Sequence, residues 1–129
     1  TDVCRSLDKD VWLNACCRRI TYFFANKPDP FGLYTLNKDA MGAVVSDVRF
    51  PNEARGLKYG MGATLIKIHR SIPMKKIHQH ASETSMDNIP NKLIDYHVHN
   101  RGTLDDLAHE FHKIMESEND TNKAHVRSQ

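Results

Sequence analysis

The fold of this chain is decided by the stretch Ala43-Val44-Val45-Ser46-Asp47-Val48-Arg49-Phe50-Pro51-Asn52-Glu53-Ala54. It opens with a short apolar run that ends in a carboxylate, and its Pro-Asn-Glu-Ala segment is typical of the start of a helix. We therefore predict a buried strand over 43–48 and a short helix over 52–59. In open α/β sheets ligands bind where the strands end, so this edge would present Asp47 and Arg49 to a ligand.

Two interpretations of this acidic and basic pair are open. Arg49 could hold a phosphate group with both arms of its guanidinium, while Asp47 could orient a metal-bound water, a base edge or a neighbouring arginine. Alternatively, the two residues form a structural ion pair beneath the helix. The residue types alone do not decide between these interpretations.

Size and charge bound the class of protein. The chain has 129 residues, of which 40% are hydrophobic, and this predicts one domain over residues 1–117 and a disordered tail over 118–129. A net charge of +2 gives no reason to expect binding to DNA or to a membrane. Three cysteines, two of them adjacent, predict a reducing cytoplasm rather than a disulfide framework. The chain begins at Thr1 rather than at Met, which leaves open that sequence upstream is missing.

The first predicted element is an amphipathic helix over residues 8–25, capped by Asp8 or Asp10. Trp12 and Phe23 lie on its apolar stripe. They are either core residues, or Trp12 stacks on a nucleotide base. The segment 26–40 is rich in proline and glycine and is predicted to be a loop.

Two further strands are predicted, over 63–69 and 93–99. The β-α-β spacing of the strands at 43–48 and 63–69 predicts that these two pair in parallel. Arg70 leaves the second strand at the edge that would also carry Arg49. We therefore predict that Asp47, Arg49 and Arg70 share one pocket rim. The basic residues from Arg55 to Lys76 form either a solvated face or a phosphate-facing lid.

Histidines at alternating positions raise the question of a metal site. They occur as His78 and His80 and again as His97 and His99. Neither pair has an acidic or cysteine partner at the spacing of a metal site, so we predict no metal site at either.

The last predicted helix begins after the turn Asn100-Arg101-Gly102 and is capped by Thr103. Asp105 and Asp106 in its first turn complement the helix dipole. Its predicted core stripe consists of Leu104, Leu107, Phe111, Ile114 and Met115.

An ordered set of motifs resembles the phage-type deoxynucleoside monophosphate kinases. The set consists of Asp10-Val11-Trp12-Leu13, Asp47-Val48-Arg49-Phe50-Pro51-Asn52-Glu53-Ala54, His80-Ala81-Ser82-Glu83 and Asn100-Arg101-Gly102-Thr103-Leu104. The resemblance implies a three-layer α/β/α fold with a short parallel sheet, like part of the P-loop nucleoside monophosphate kinase fold. It also implies transfer of the γ-phosphoryl group of ATP, with Mg²⁺, to a deoxynucleoside monophosphate.

The same resemblance assigns site residues by motif position. Arg49 and Arg70 would be catalytic groups that clamp phosphate. The residues of the monophosphate site would be Trp12, Asp47, Arg49, Asn52, Glu53, His80, Ser82 and Glu83. The contacts with the donor nucleotide would come from Asn100, Gly102 and Thr103.

Two features depart from the family pattern. Arg101 stands where the terminal turn of the family usually carries an acidic residue, and no Gly-x-x-x-x-Gly-Lys-Ser/Thr loop occurs. Mg²⁺ and ATP would therefore be bound only if a missing P-loop half is supplied, and the chain is expected to be the carboxyl-terminal part of such a kinase.

Two alternatives stay open. The chain is a non-catalytic descendant that binds a nucleotide or a host or phage protein, or it is a small metal-dependent hydrolase that uses the histidines. Each of these is compatible with a homo-oligomer and with the cytoplasm of a host cell.

Overall fold

The chain folds into a mixture of helices and strands with a two-stranded parallel sheet, in agreement with the predicted α/β class. A computed structural model describes residues 2–27, 39–70 and 86–127, except for the side chains of residues 2, 70 and 122–127. The chain forms two compact units, the first from Thr1–Ala63 and Gln79–Leu93 and the second from Thr64–His78 and Ile94–Gln129. None of the described helices is both long enough and apolar enough to cross a membrane.

The first unit is mainly helical. It contains α1 (Asp2–Leu7), α2 (Val11–Phe24), α3 (Pro51–Arg55), a π-helical turn (Gly56–Gly60) and two 3-10 turns (Met86–Asn88 and Asn91–Leu93). The predicted helix over 8–25 is confirmed as α2, which begins three residues later than predicted. The predicted aspartate cap is wrong, because Asp10 at the N-cap position forms no side-chain cap hydrogen bond. The Asp8 carboxylate accepts the backbone N–H of Asp10 at 2.8 Å and so shapes the turn that precedes this helix.

Among the described residues of the first unit, the buried apolar ones are Ala54, Leu57, Ile89 and Leu93. Gly56 lies where α2 meets the π-helical turn. A Cβ atom at this position would lie 2.3 Å from Cδ2 of Leu13. Glycine therefore permits a close approach of the two helical segments.

The predicted strand over 43–48 is wrong. Residues 40–49 have no regular secondary structure, and Val44 is 97% exposed. Asp47 has a φ of +68°, a left-handed conformation that interrupts an extended run. In the described parts of the chain no strand pairs with this segment, so the apolar run lacks the ladder that would make it a strand.

The second unit contains β1 (Ile66–Arg70), β2 (Tyr96–Asn100) and α4 (Leu104–Arg127). The predicted strands over 63–69 and 93–99 are confirmed, each with its start three residues later. Their pairing differs from the prediction, because β1 pairs in parallel with β2, in a register that sets Ile68 beside Val98. Where the structure describes the side chains of this unit, the buried residues are Leu65, Val98 and Ile114.

The first turn of α4 is capped as the sequence predicts. The Thr103 hydroxyl accepts the backbone N–H of Asp106 at 3.2 Å, and the Asp106 carboxylate accepts the backbone N–H of Thr103 at 2.8 Å. The predicted core stripe is only partly correct, since Leu104 is 81% exposed and Met115 is 57% exposed. Ile114 is the buried member of the stripe.

The predicted disordered tail is helical as far as Arg127. Glu118, the first residue of that predicted tail, accepts hydrogen bonds from the Tyr96 hydroxyl at 3.0 Å and from the Thr64 hydroxyl at 3.2 Å. These two contacts hold α4 beyond the end of its apolar pattern, which is the physical reason that the sequence pattern underestimates its length.

Candidate functional site

The segment Asp47–Glu53 is organised around one carboxylate. Glu53 lies in the first turn of α3 and is 8% exposed. Its Oε2 atom accepts the backbone N–H groups of Arg49 at 3.0 Å and of Phe50 at 3.1 Å. Two N–H groups at the entry to the helix are thereby satisfied, and the turn that carries Arg49 is fixed.

The other oxygen of Glu53 is held by an arginine from a different helix. Arg5, in the last turn of α1, donates from Nη2 to Oε1 of Glu53. The same guanidinium lies over the ring of Phe50, with its central carbon 4.0 Å from the ring centroid. Arg5 therefore ties α1 to the start of α3. The sequence reasoning missed Arg5, because nothing local marks a partner 48 residues away.

Asp47 and Arg49 form an ion pair at the surface. Nε of Arg49 donates to Oδ1 of Asp47 at 2.6 Å, and the side chains are 40% and 66% exposed respectively. A hydrogen bond at Nε fixes the plane of the guanidinium. Among the roles that the sequence left open for Asp47, the observed contact is the one with a neighbouring arginine, and it fits a structural ion pair equally well.

Asn52 links α3 to the start of α2. Its amide nitrogen donates to Oδ1 of Asp10 at 2.7 Å and to the backbone carbonyl of Lys9 at 3.1 Å. Trp12, in the first turn of α2, is 43% exposed. Its assignment to a nucleotide base stays a prediction, as does a ligand role for Asn52.

The remaining predicted site residues are not joined to this segment by any described contact. Arg70 ends β1 in the second unit, and its side chain lies outside the described residues, so the shared pocket rim stays a prediction. His80, Ser82 and Glu83 also lie outside the described residues, along with the predicted loop residues 28–38 and the predicted lid residues 71–76.

The predicted donor-nucleotide residues lie around the start of α4. Asn100 is the last residue of β2, Gly102 precedes the cap, and the Thr103 hydroxyl is engaged with Asp106. Hydrogen bonds from the Thr103 backbone and hydroxyl lower the pKa of Asp106. These contacts account for Thr103 as a helix cap, and its contact with a donor nucleotide stays a prediction.

A second group of side chains was only partly anticipated. His97 and His99 are two positions apart on β2, so their side chains lie on the same face of the sheet. His69 on β1 lies on that face too, because the strand register sets it beside His99. Nε2 of His69 lies 2.8 Å from Nδ1 of His97, and the ring of His69 stacks on that of His99 with a centroid distance of 4.6 Å. The sequence reasoning singled out His97 and His99 but missed His69, since only the strand register brings it beside them.

The electrostatic environment of His69 disfavours its charged form. Partial burial lowers the pKa of this imidazole, and the neighbouring His99, His97 and Lys67 lower it further. Burial raises the pKa of the Cys16 thiol on α2, and Cys17 beside it acts in the same direction. Cys16 is thereby disfavoured as a thiolate nucleophile.

The Mg²⁺ that the kinase resemblance implies was expected only together with a P-loop half, and it stays a prediction. Oδ1 of Asp47 is engaged by Arg49, and both oxygens of Glu53 accept hydrogen bonds from protein donors. Across residues 2–27, 39–70 and 86–121, no group of three or more His, Cys, Asp or Glu side chains is arranged to hold a metal ion.

Within that same part of the chain, no buried side-chain nitrogen or oxygen lacks a hydrogen-bond partner. None of these contacts tests the kinase resemblance, which stays a prediction. Comparison of this chain with protein-family models, with curated proteins and with solved structures finds no match.

Proposed function

We propose that this chain binds a deoxynucleoside monophosphate through the guanidinium of Arg49. The observation that carries this proposal is the 2.6 Å contact between Nε of Arg49 and Oδ1 of Asp47 at an exposed position. Arginine suits phosphate because its planar, permanently charged group can donate two parallel hydrogen bonds to two oxygens. A carboxylate on Nε sets the plane of that group before a ligand arrives, which reduces the entropy that binding loses.

The support for Arg49 comes from the backbone as well. Glu53 accepts the N–H of Arg49 itself, so the backbone that carries the guanidinium is held by a nearly buried carboxylate. Arg5 holds that carboxylate in turn. A phosphate bound to Arg49 would therefore contact a residue whose backbone N–H is held by Glu53 and whose guanidinium is held by Asp47.

In the kinase that the sequence resembles, this site would receive the phosphoryl group. Such a transfer asks the protein mainly to position the reactants and to neutralise charge. Arg49 would hold the acceptor phosphate and Trp12 would lie against the base, as the resemblance implies. The donor site would need the glycine-rich loop that these 129 residues lack. We therefore propose that this chain supplies the acceptor half of the reaction.

The lack of that loop favours one further candidate function. A descendant of such a kinase could keep monophosphate binding and use it without phosphoryl transfer, for example to control contact with a protein partner. Both candidates require the same monophosphate site. They differ in whether the chain supports kinase activity when a P-loop partner chain is supplied.

Calorimetric titration of the full chain with each deoxynucleoside monophosphate tests the proposal. Arg49→Ala should weaken monophosphate binding at least tenfold, about 1.4 kcal/mol, and should leave the binding of the corresponding deoxynucleoside unchanged. Arg101→Ala is a matched control, because Arg101 is an exposed arginine in the second unit and has no assigned ligand role. It should bind like the unmodified chain.

Arg49→Lys separates the effect of the positive charge from the effect of the planar pair of hydrogen-bond donors. Lysine keeps the charge but forms no planar pair of hydrogen bonds, so we expect an affinity between those of the unmodified chain and Arg49→Ala. A flat titration with all four monophosphates at millimolar concentration would refute the proposal. An equal loss for the monophosphate and the deoxynucleoside would place the phosphate elsewhere.

A further inference from the structure

We propose that His69 and His97 form a surface site for a divalent transition-metal ion such as Ni²⁺, Cu²⁺ or Zn²⁺. The two nitrogens that face each other are Nε2 of His69 and Nδ1 of His97, 2.8 Å apart. This site is independent of Arg49 and of the proposed nucleotide function. It belongs to the second unit, whereas the segment Asp47–Glu53 belongs to the first.

The spacing of the two nitrogens is close to that of a pair of metal ligands. Zinc lies about 2.0–2.1 Å from an imidazole nitrogen, so two such ligands in a tetrahedral site are about 3.3 Å apart. The observed separation must widen by roughly 0.5 Å. The two rings now point at each other, with their centroids 5.1 Å apart, so each must also turn by roughly 35° for both nitrogens to face one tetrahedral metal ion. No change in the strand pairing is required.

The sheet holds the two histidines at this spacing. The backbone ladder sets His97 beside Lys67 and His69 beside His99, so His69 is the diagonal neighbour of His97. The ring of His99 stacks on that of His69 with an interplanar angle of 17°, which keeps the His69 ring in that plane but allows it to turn within the plane. His99 thus acts as a positioning residue for His69.

The opposite face of β2 makes the packing contacts. Tyr96 and Val98 alternate with the histidines along the strand; Tyr96 bonds to Glu118 on α4, and Val98 is 2% exposed. His97 and His99 are exposed, and His69 is half-buried. Solvent can therefore reach the two facing nitrogens, and water can fill the remaining metal coordination positions.

The chemistry of the ligands selects the class of metal. Imidazole nitrogen binds Cu²⁺, Ni²⁺ and Zn²⁺, whereas Mg²⁺ and Ca²⁺ take oxygen ligands. In the present contact one imidazole must donate its proton to the other, since two lone pairs would repel. On binding a metal, that imidazole moves its proton to its other ring nitrogen, so both facing nitrogens offer lone pairs and no proton needs to be lost.

Calorimetric titration of the untagged full chain with Ni²⁺, in a buffer that does not chelate metals, tests the site. His69→Ala and His97→Ala should each weaken Ni²⁺ binding at least tenfold. His112→Ala is the matched control, because His112 is an exposed histidine on α4, and it should bind Ni²⁺ like the unmodified chain. Cu²⁺ should bind more tightly than Ni²⁺, and Ni²⁺ more tightly than Co²⁺. Unchanged Ni²⁺ affinity in either His69→Ala or His97→Ala would overturn the proposal.

His99→Ala tests the positioning role. Electron paramagnetic resonance of bound Cu²⁺ should still show two nitrogen ligands in this variant, although the affinity falls. Loss of one nitrogen ligand would instead make His99 a ligand and would overturn its assignment as a positioning residue.

A second measurement needs no variant and holds even if the substitutions disturb the fold. Diethyl pyrocarbonate modifies accessible imidazoles, and mass spectrometry identifies the modified residue. Zn²⁺ should protect His69 and His97 while His112 stays reactive. Equal modification of all three histidines with and without Zn²⁺ would refute the site.

Discussion

Substitution of Glu53 should destabilise the first unit more than any change to the surface ion pair beside it. Glu53→Ala removes the acceptor of two backbone N–H groups and the partner of Arg5. Hydrogen bonds to a charged group contribute about 1.5–3 kcal/mol each, and removing one member of a buried ion pair costs about 3–5 kcal/mol. The Arg5 side chain is 24% exposed, so water partly replaces its lost partner. We therefore expect the free energy of unfolding to fall by about 3 kcal/mol, at the lower end of that range.

Glu53→Gln separates the hydrogen bonds from the charge. The amide oxygen can still accept the N–H groups of Arg49 and Phe50, but the attraction to Arg5 is lost. We expect a loss of about 1–2 kcal/mol, roughly half that of the alanine variant.

Urea unfolding followed by tryptophan fluorescence measures both variants, because the single tryptophan, Trp12, belongs to the same unit as Glu53. Glu110→Ala is the control, since it removes an exposed carboxylate that pairs with Lys113, and its midpoint should not move measurably. A Glu53→Ala midpoint equal to that of the unmodified chain, with the same denaturant slope, would refute the structural role of this carboxylate.

Three further predictions concern other contacts. Leu93→Ala should lower the free energy of unfolding by about 2–4 kcal/mol, because Leu93 is 1% exposed; a midpoint unchanged in urea would contradict its burial. Tyr96→Phe should lower it by about 0.5–1.5 kcal/mol through the lost bond to Glu118, as measured by circular dichroism, and no loss would show that the bond is not formed. The lowered pKa of Asp106 means that its cap stabilises α4 above the pKa of an unfolded aspartate and stops doing so as the pH falls through the folded pKa. Asp106→Asn should remove that part of the acid dependence, and an identical pH profile would argue against the cap with Thr103.

Local signals in the sequence predicted the elements that depend on local contacts. The helical spacing of α2 and the cap at Thr103 are set by residues within one or two turns of each other, and both are confirmed. The strands β1 and β2 were also recognisable from alternation and composition. Their pairing was not, because strand pairing is a contact between distant segments that no local pattern encodes.

The failures share that cause. Ala43-Val44-Val45 has the composition of a strand, yet a strand exists only where another strand pairs with it. Glu118 lies in a polar segment with no apolar spacing, and its partners Tyr96 and Thr64 are 22 and 54 residues away. His69 lies 28 residues from His97 and becomes its neighbour only through the register. The contacts of Glu118 and of His69 join residues that are far apart in the sequence and lie side by side only in the folded chain.

The segment Asp47–Glu53 has contacts of two different kinds. Glu53 and Asn52 have hydrogen bonds to Arg5, to backbone N–H groups and to Asp10, and these account for their residue types through stability alone. The ion pair of Arg49 is different, because an exposed pair of this kind contributes less than about 1 kcal/mol. That ion pair therefore adds little to the stability of the fold. For the same reason, a loss of binding in Glu53→Ala would carry no information about chemistry, whereas a loss in Arg49→Ala with an unchanged unfolding midpoint would identify a phosphate contact.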